Sequence, residues 1–489
     1  MDKPIQDKYL QHSSSMIKKN NRIFAKLKSL HTKSSQARLL FIILLFASVL
    51  RLIWINSIVE RDEGQFAYNA VVNFIPADAS YRSEFFYDNK MPLLYLFYSA
   101  PIALFGHDIL YVRMLNNILF IVSCYFFFKL ALFIFRKEAE AYLALIIYIL
   151  LMNIPAFEAQ LAMSESFALP FTIIGLYCLT RYTEQKQTGD LMLSSLFFAV
   201  SSQFKVTFLI YVFFALCIGV INNKHREGSI RYLPLLFLSG VIAITLASNH
   251  AIIMRYLLHD IYASKESLLL LLMSASTFIM LAAIGAARLM QSRQTLILAG
   301  LIFSLFFSFF PNMYGHCFII SLPYIAISSA SGLSLVFAIR RKTIALSVIS
   351  LLLFSLGVNM YTWYRQYDDF TFNKLVNVGY SESTSREMQE SIASTMKAYN
   401  KTVFVMGWEP YLCFRAEKTG CYSHYPYQHM NDRSYYNYDY LWDRFNNASL
   451  ILFYADNEEK YIPYRQQIES LSGKGYIKVD FNGYYIYVK

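Results

Sequence analysis

Between residues 39 and 363 the chain repeats one pattern, an apolar stretch of about 17–25 residues followed by a short polar connection. Each stretch is long enough to cross roughly 30 Å of hydrocarbon as a helix. The pattern predicts about eleven transmembrane helices, near 39–58, 109–135, 139–154, 166–182, 190–204, 205–221, 231–253, 267–287, 295–310, 317–339 and 343–363. From residue 364 the chain turns polar and rich in tyrosine. Short mixed runs there, at 402–406, 450–454 and 484–488, read as strands. The expected fold class is an α-helical polytopic membrane protein with a C-terminal α/β extracytoplasmic domain.

Composition agrees with a bilayer as the solvent. The 489 residues are 56% hydrophobic and only 16% charged, more apolar surface than one soluble core needs. The net charge of +11 could point to nucleic acid, but the position of the basic residues points to topology instead. Lys3, Lys8, Lys18, Lys19, Arg22, Lys26, Lys28, Lys33 and Arg38 all precede the first span. Alternate connections carry Arg136/Lys137, Arg181/Lys186, Lys224/Arg226/Arg231, Arg288/Arg293 and Arg340/Arg341/Lys342. Positive residues stay cytoplasmic, so 1–38 is expected to be a basic cytoplasmic tail and 39–363 a transmembrane domain. Its first outward loop is 58–108, and 364–489 is an outward-facing C-terminal domain. Cys124, Cys178, Cys217 and Cys317 fall in or beside spans and read as small packing residues. Cys413 and Cys421, in the outward domain, are placed to close a short disulfide loop. Cysteine and histidine spacing forms no zinc motif.

The first outward loop holds the densest chemistry. Glu60-Arg61-Asp62-Glu63-Gly64-Gln65 follows directly on the first span. Phe66, Ala67, Ala70, Val71 and Phe74 then recur at helical spacing, which predicts a helix opened by Asp62 and Glu63 with its apolar face on the membrane. In the plainer reading these acids only favour a positive helix N-terminus, a gain of about 0.3–1 kcal/mol. The same loop also brings Asp88-Asn89-Lys90-Met91-Pro92-Leu93-Leu94-Tyr95 to the membrane surface. Acids and a cation at headgroup depth suit an acceptor hydroxyl attacking the anomeric carbon of a sugar whose leaving group is a lipid phosphate. The hydroxyl needs a carboxylate base, and the departing phosphate needs Lys, Arg or a metal.

These residues, together with Pro311-Asn312-Met313-Tyr314-Gly315-His316 leading into Leu322-Pro323-Tyr324, resemble the GT-C superfamily of integral membrane glycosyltransferases. Within it the residues resemble the protein O-mannosyltransferase and lipid A aminoarabinose transferase branches. In that group an acidic pair follows the first span and a Lys-Pro-Pro-like segment closes the same loop; here Met91 replaces the first proline. The resemblance implies Asp62 as general base, with Glu63 orienting the acceptor or helping to hold a divalent cation. It implies Arg61 and Lys90 on the lipid phosphate, and His259 near the metal or phosphate. It also implies a polyprenyl-phosphate-linked sugar donor and an extracytoplasmic acceptor, whether protein, lipid or glycan.

Lys205, near an outer boundary, is a further candidate for the donor phosphate, or it snorkels to headgroups. Asp88, Glu165 and His316 are accessory candidates. Glu158 and Glu165, in the connection after the third span, read more simply as interfacial carboxylates kept solvated. Two other functions would use similar charges, a flippase that moves a lipid-linked sugar without bond cleavage and a lipid-linked glycan ligase or polymerase. Against a transporter, the acids lie at one membrane face, whereas transporters place ionisable groups near the midplane.

Overall fold

A computed structural model describes residues 36–57, 59–74, 90–209, 211–212, 215, 265–291, 295–309, 315–339, 342–368, 386–399, 402–406, 410–417, 422–423, 447–454, 470–471, 473–481 and 484–489. The chain divides into two compact units, Met1–Val49 and Leu50–Lys489. A first helix, α1, covers 36–52. The helices that follow are α2 (Arg61–Phe74), α3 (Pro92–Phe105), α4 (Ile109–Phe135), α5 (Glu138–Leu151), α6 (Ser164–Gln185) and α7 (Thr188–Ser202). After them come α8 (Lys265–Gln291), α9 (Thr295–Phe309), α10 (Leu322–Phe337) and α11 (Lys342–Asp368). Tighter 3-10 segments, the single turns Pro155–Phe157 and Val206–Phe208 and the longer Gly315–Ser321, lie at the joints.

Most of these helices coincide with expected spans to within a few residues. The loop expected at 58–108 carries two helices of its own, α2 and α3. Pro92 starts α3, where a missing N–H costs nothing because the first turn has no partner for it. The expected span at 205–221 does not run on from α7: the chain turns at Gln203 and re-enters a short tight helix at Val206–Phe208. The spans expected at 205–221 and 231–253 lie largely outside the described residues.

Among the described residues, two helices are long and apolar enough to cross a bilayer, Ile109–Phe135 and His316–Phe337. Pro92–Phe105, Ala275–Met290 and Leu346–Asn359 are shorter apolar helices. Large apolar side chains stand exposed on several of them, including Ile118 on α4, Ile302 on α9 and Phe354 on α11. Water would penalise such contiguous surface, whereas lipid accepts it.

Small residues let the helices approach closely. A Cβ added at Gly285 of α8 would overlap the backbone of Ser328 in α10, and one at Gly332 of α10 would overlap the backbone of Leu281 in α8. Backbone contact of this kind replaces, inside a membrane, the hydrophobic drive that water supplies to soluble helices.

The C-terminal region carries α12 (Arg386–Ala398), β1 (Val403–Met406), α13 (Pro410–Arg415), β2 (Tyr422–Ser423), β3 (Leu450–Tyr454), β4 (Ile477–Phe481) and β5 (Tyr484–Val488). The five strands form one sheet in the order β2-β1-β3-β5-β4. β1 lies parallel to β2 and β3, with Val403 opposite Leu450, and β5 runs antiparallel between β3 and β4, with Leu452 opposite Ile486. Cys413 is disulfide-bonded; Cys421, expected as its partner, lies outside the described residues.

This region is tied to the start of α2. The Gln389 amide accepts from Val59 N (3.1 Å) and donates to Val59 O (3.2 Å). Tyr411 packs so tightly on Gly64 that a Cβ there would stand 2.8 Å from the Tyr411 Cβ. Glu390 accepts from Tyr411 Oη (2.6 Å) and Arg415 Nε (2.6 Å), and Arg415 Nη1 donates to His107 O (2.9 Å).

Candidate active site

The acidic motif folds as a reciprocal cap. Glu60 precedes the first turn of α2, and its carboxylate accepts from Asp62 N (2.5 Å), while Glu63 reaches back to accept from Glu60 N (3.4 Å). Two of the helix's orphan donors are thereby satisfied. Glu63 is then fully taken up. It accepts from Arg113 Nε (3.1 Å), Arg113 Nη2 (2.5 Å) and Ala162 N (2.8 Å), and both members of the ion pair are buried. With every lone-pair direction of its oxygens occupied by a donor, this carboxylate has no place for a cation. The fit of a divalent metal to Glu63, expected from the resemblance, is poor, and no chemical step is routed through one. Arg113 also donates to Ile55 O (3.1 Å) and Ser57 O (2.8 Å), so one guanidinium joins the chain leaving α1 to the start of α2.

The connection after α5 is pinned at nearly every residue. Ala159 O accepts from Arg51 and from Ser166 Oγ (3.1 Å), Leu161 O from Asn116 Nδ2 (2.9 Å), and Ala162 O from Tyr98 Oη (2.5 Å). A buried loop has to pair its backbone groups in this way. Within it Glu158 adopts φ 53°, the left-handed region that costs a residue with a Cβ energy. Glu158 and Glu165 are 1% and 3% exposed, which corrects the expectation of solvated interfacial acids. Glu158 binds His316 Nδ1 (2.7 Å). Glu165 accepts from Lys205 Nζ and from Ser164 Oγ (2.7 Å), and His316 Nε2 stands 3.9 Å from it. Pairing, not hydration, makes their burial tolerable. Lys205 is likewise buried on Glu165 and does not snorkel.

Asp62, Glu63 and Glu158 lie within electrostatic reach of Glu60, and Lys90, Lys205 and His316 within electrostatic reach of Glu165. The two groups meet at Glu158, so the starts of α2, α3, α6 and α10 converge on one site. Burial, together with the negative charge of Asp62, Glu158 and Glu63, holds the Glu60 carboxyl well above the usual carboxylate range. Asp62 is half-buried, and among the described residues nothing hydrogen-bonds to its carboxylate. Lys90, also half-buried, makes no ion pair among them; its ammonium lies 5.6 Å from the centre of the Phe66 ring. Among the described residues, the Asp62 carboxylate and the Lys90 ammonium therefore make no ion pair, at a site where Glu63, Glu158 and Glu165 are each paired.

Of the residues expected from sequence, Asp62, Glu63, Lys90, Glu165, Lys205 and His316 come together. Asp88 and His259 lie outside the described residues, and Arg61 is seen only as part of the α2 backbone. Arg113, Glu60 and the Glu158–His316 pair were not foreseen in these roles. Arg113 could have been singled out as a cation near the start of a long, mostly apolar helix.

Residues 89–253 match the family model described as dolichyl-phosphate-mannose-protein mannosyltransferase. Among curated proteins none matches. The fold is similar to the crystal structure of ArnT from Cupriavidus metallidurans in the apo state, with 11% identity and a TM-score of 0.59, covering 92% of this chain and 98% of that one. It is similar also to ArnT from the same organism bound to undecaprenyl phosphate, at 11% identity and TM-score 0.57, covering 92% and 97%.

Proposed function

We propose that the chain is a membrane glycosyltransferase of the GT-C type that moves a single sugar from a polyprenyl-phosphate-linked donor to an extracytoplasmic acceptor; the match of residues 89–253 to a mannosyltransferase family model and the fold shared with ArnT support this. The observation that carries this reading is the pairing state of the site. Asp62 is left open to take a proton and Lys90 to meet an anion, while the neighbouring charges neutralise one another. Binding of undecaprenyl phosphate by the similar ArnT structure supports a lipid phosphate as that anion.

In the proposed step the acceptor hydroxyl gives its proton to Asp62 as its oxygen bonds to the anomeric carbon. The bond from that carbon to the phosphate oxygen breaks, and polyprenyl phosphate leaves with the electron pair. A single displacement inverts the anomeric centre. A positioned base contributes about 10²- to 10⁴-fold in rate. Lys90, with Arg61, stabilises the departing phosphate in a water-poor site, where such charge acts more strongly than in bulk; Lys205, expected from sequence to share this role, is held on Glu165. Glu63, locked on Arg113, holds Asp62 in place by fixing the start of α2.

In this reading 1–38 is a cytoplasmic tail, 39–363 is the transmembrane catalytic domain, and 364–489 faces outward. Gln389 and Tyr411 then brace the acidic motif from the acceptor side.

The test is transfer from a panel of radiolabelled polyprenyl-monophosphate sugars in proteoliposomes, with prenyl phosphate release and label movement across the bilayer followed together. Release coupled to labelled acceptor is the expected result. Label crossing the bilayer with its prenyl phosphate intact would replace the enzyme by a flippase.

A further inference from the structure

We propose that Gln389 is a positioning residue of the transfer reaction, fixing through Val59 the backbone from which Asp62 projects; this rests on the reading of Asp62 as the base. Gln389, on α12, and Val59, at the entry to α2, are both buried and lie 330 positions apart in the chain. The carboxamide accepts from Val59 N (3.1 Å) and donates to Val59 O (3.2 Å). These are the two bonds that a residue of a neighbouring strand would supply. An amide side chain meets both groups at once because it carries an acceptor and a donor side by side.

Val59 is the last residue before the reciprocal cap formed by Glu60, Asp62 and Glu63. Glu60 O accepts from Gly64 N (2.9 Å), so the peptide that Gln389 holds continues directly into the first turn of α2. That turn is held a second time at Gly64. A Cβ added there would stand 2.8 Å from the Tyr411 Cβ and 2.9 Å from the Tyr411 backbone nitrogen. Glycine is what lets the two backbones approach this closely.

The two contacts act together because α12 and α13 are linked. Glu390, next to Gln389, accepts from Tyr411 Oη (2.6 Å) and Arg415 Nε (2.6 Å). Arg415 donates in turn to His107 O (2.9 Å) and stands 3.8 Å from the Asp108 carboxylate. Asp108 caps α4 by accepting from Leu110 N (2.9 Å), and α4 carries Arg113, which pairs with Glu63. The links close a ring that runs from Val59 through Gln389, Glu390, Arg415 and Asp108, along α4 to Arg113, and back to Glu63. Asp62 projects from the stretch of that ring between Val59 and Glu63. Its backbone is held on both sides, while among the described residues nothing hydrogen-bonds to its carboxylate. A shift of about 1 Å at a reacting group, even from a change remote from the chemistry, can cost on the order of 10²-fold in rate. Lys90 belongs to no link of the ring, so opening the ring leaves the donor phosphate its cation.

Single-turnover transfer is measured with the polyprenyl-monophosphate sugar that the wild type turns over, together with donor affinity and unfolding midpoint. The proteins compared are wild type, Gln389→Leu, Asp62→Asn and the double variant. Gln389→Leu should lower the transfer rate about 10- to 100-fold with donor affinity unchanged, and should lower it no further in the Asp62→Asn background, because the two residues act as one unit. Gly64→Ala favours the helix yet displaces Tyr411, and should reproduce the loss by a second route even where Gln389→Leu folds poorly. Wild-type rates in Gln389→Leu and Gly64→Ala, while Asp62→Asn loses turnover, would overturn the inference and leave Asp62 as the base. Equal losses from Gln389→Leu in both backgrounds would overturn it as well, since they mark damage unrelated to Asp62. A wild-type rate in Asp62→Asn would remove the base itself, and the positioning role with it.

Discussion

Adjacent acids in the motif Glu60-Arg61-Asp62-Glu63 do different work because of which way the helix turns them. Glu63 points into the protein and meets Arg113; Asp62, one residue earlier, stays half-open. Breaking a buried pair by removing one partner costs about 3–5 kcal/mol. Arg113→Met should therefore lower the midpoint of thermal unfolding in detergent far more than Asp62→Asn does. Equal midpoints for the two variants would mean that the Glu63–Arg113 pair contributes no such support.

Glu60 gives a pH dependence. Its folded-state pKa is raised by burial and by the neighbouring acids, so the folded protein holds a proton that the unfolded chain releases near the ordinary glutamate value. The resulting stabilisation is complete below that value and disappears as pH rises through the raised one. Glu60→Gln keeps an acceptor for Asp62 N without the titration, and its unfolding midpoint should fall less than the wild type's over that upper range. Parallel curves for both proteins would remove Glu60 from the account. At this scale the sequence indicated which residue types mattered but not their partners. Glu63 with Arg113, and Glu158 with His316, pair across 50 and 158 positions, a separation that no local pattern encodes.

Among the elements, legibility followed hydropathy. α4, α6, α8, α9 and α11 stand where runs of apolar residues placed them, because in a membrane the run is itself the physical requirement. Polar residues mark a break as well: the expected boundary between the spans at 190–204 and 205–221 falls at Gln203 and Lys205, where the chain turns and Lys205 meets Glu165. That the segment 88–95, expected at the membrane surface, leads from Pro92 into a helix running to Phe105 was not legible. Contact between α8 and α10 was also unreadable, since glycines at 285 and 332 matter only once the two helices face each other. Gly332→Val should push Leu281 away, at a cost of about 1–3 kcal/mol or more, and reduce folded yield on gel filtration. Wild-type yield and midpoint would show that the two backbones have room to separate.

For the whole molecule, the charged site and the C-terminal region form one mechanical arrangement. Gln389 holds Val59, Tyr411 covers Gly64, and Arg415 reaches His107 at the end of α3. The C-terminal region therefore contacts both ends of the segment 59–107, which carries Asp62 and Lys90. The strands at 402–406, 450–454 and 484–488 were legible as short mixed runs, but the contacts of Gln389, Tyr411 and Arg415 with 59–107 were not, since they rest on single side chains meeting backbone. The most direct test of the central claim is single-turnover transfer by Asp62→Asn at saturating lipid-linked donor, with donor affinity and unfolding midpoint measured on the same preparation. A fall of about 10²- to 10⁴-fold in transfer rate, with affinity and midpoint unchanged, is the predicted result. Transfer at the wild-type rate would contradict it and remove Asp62 as the base.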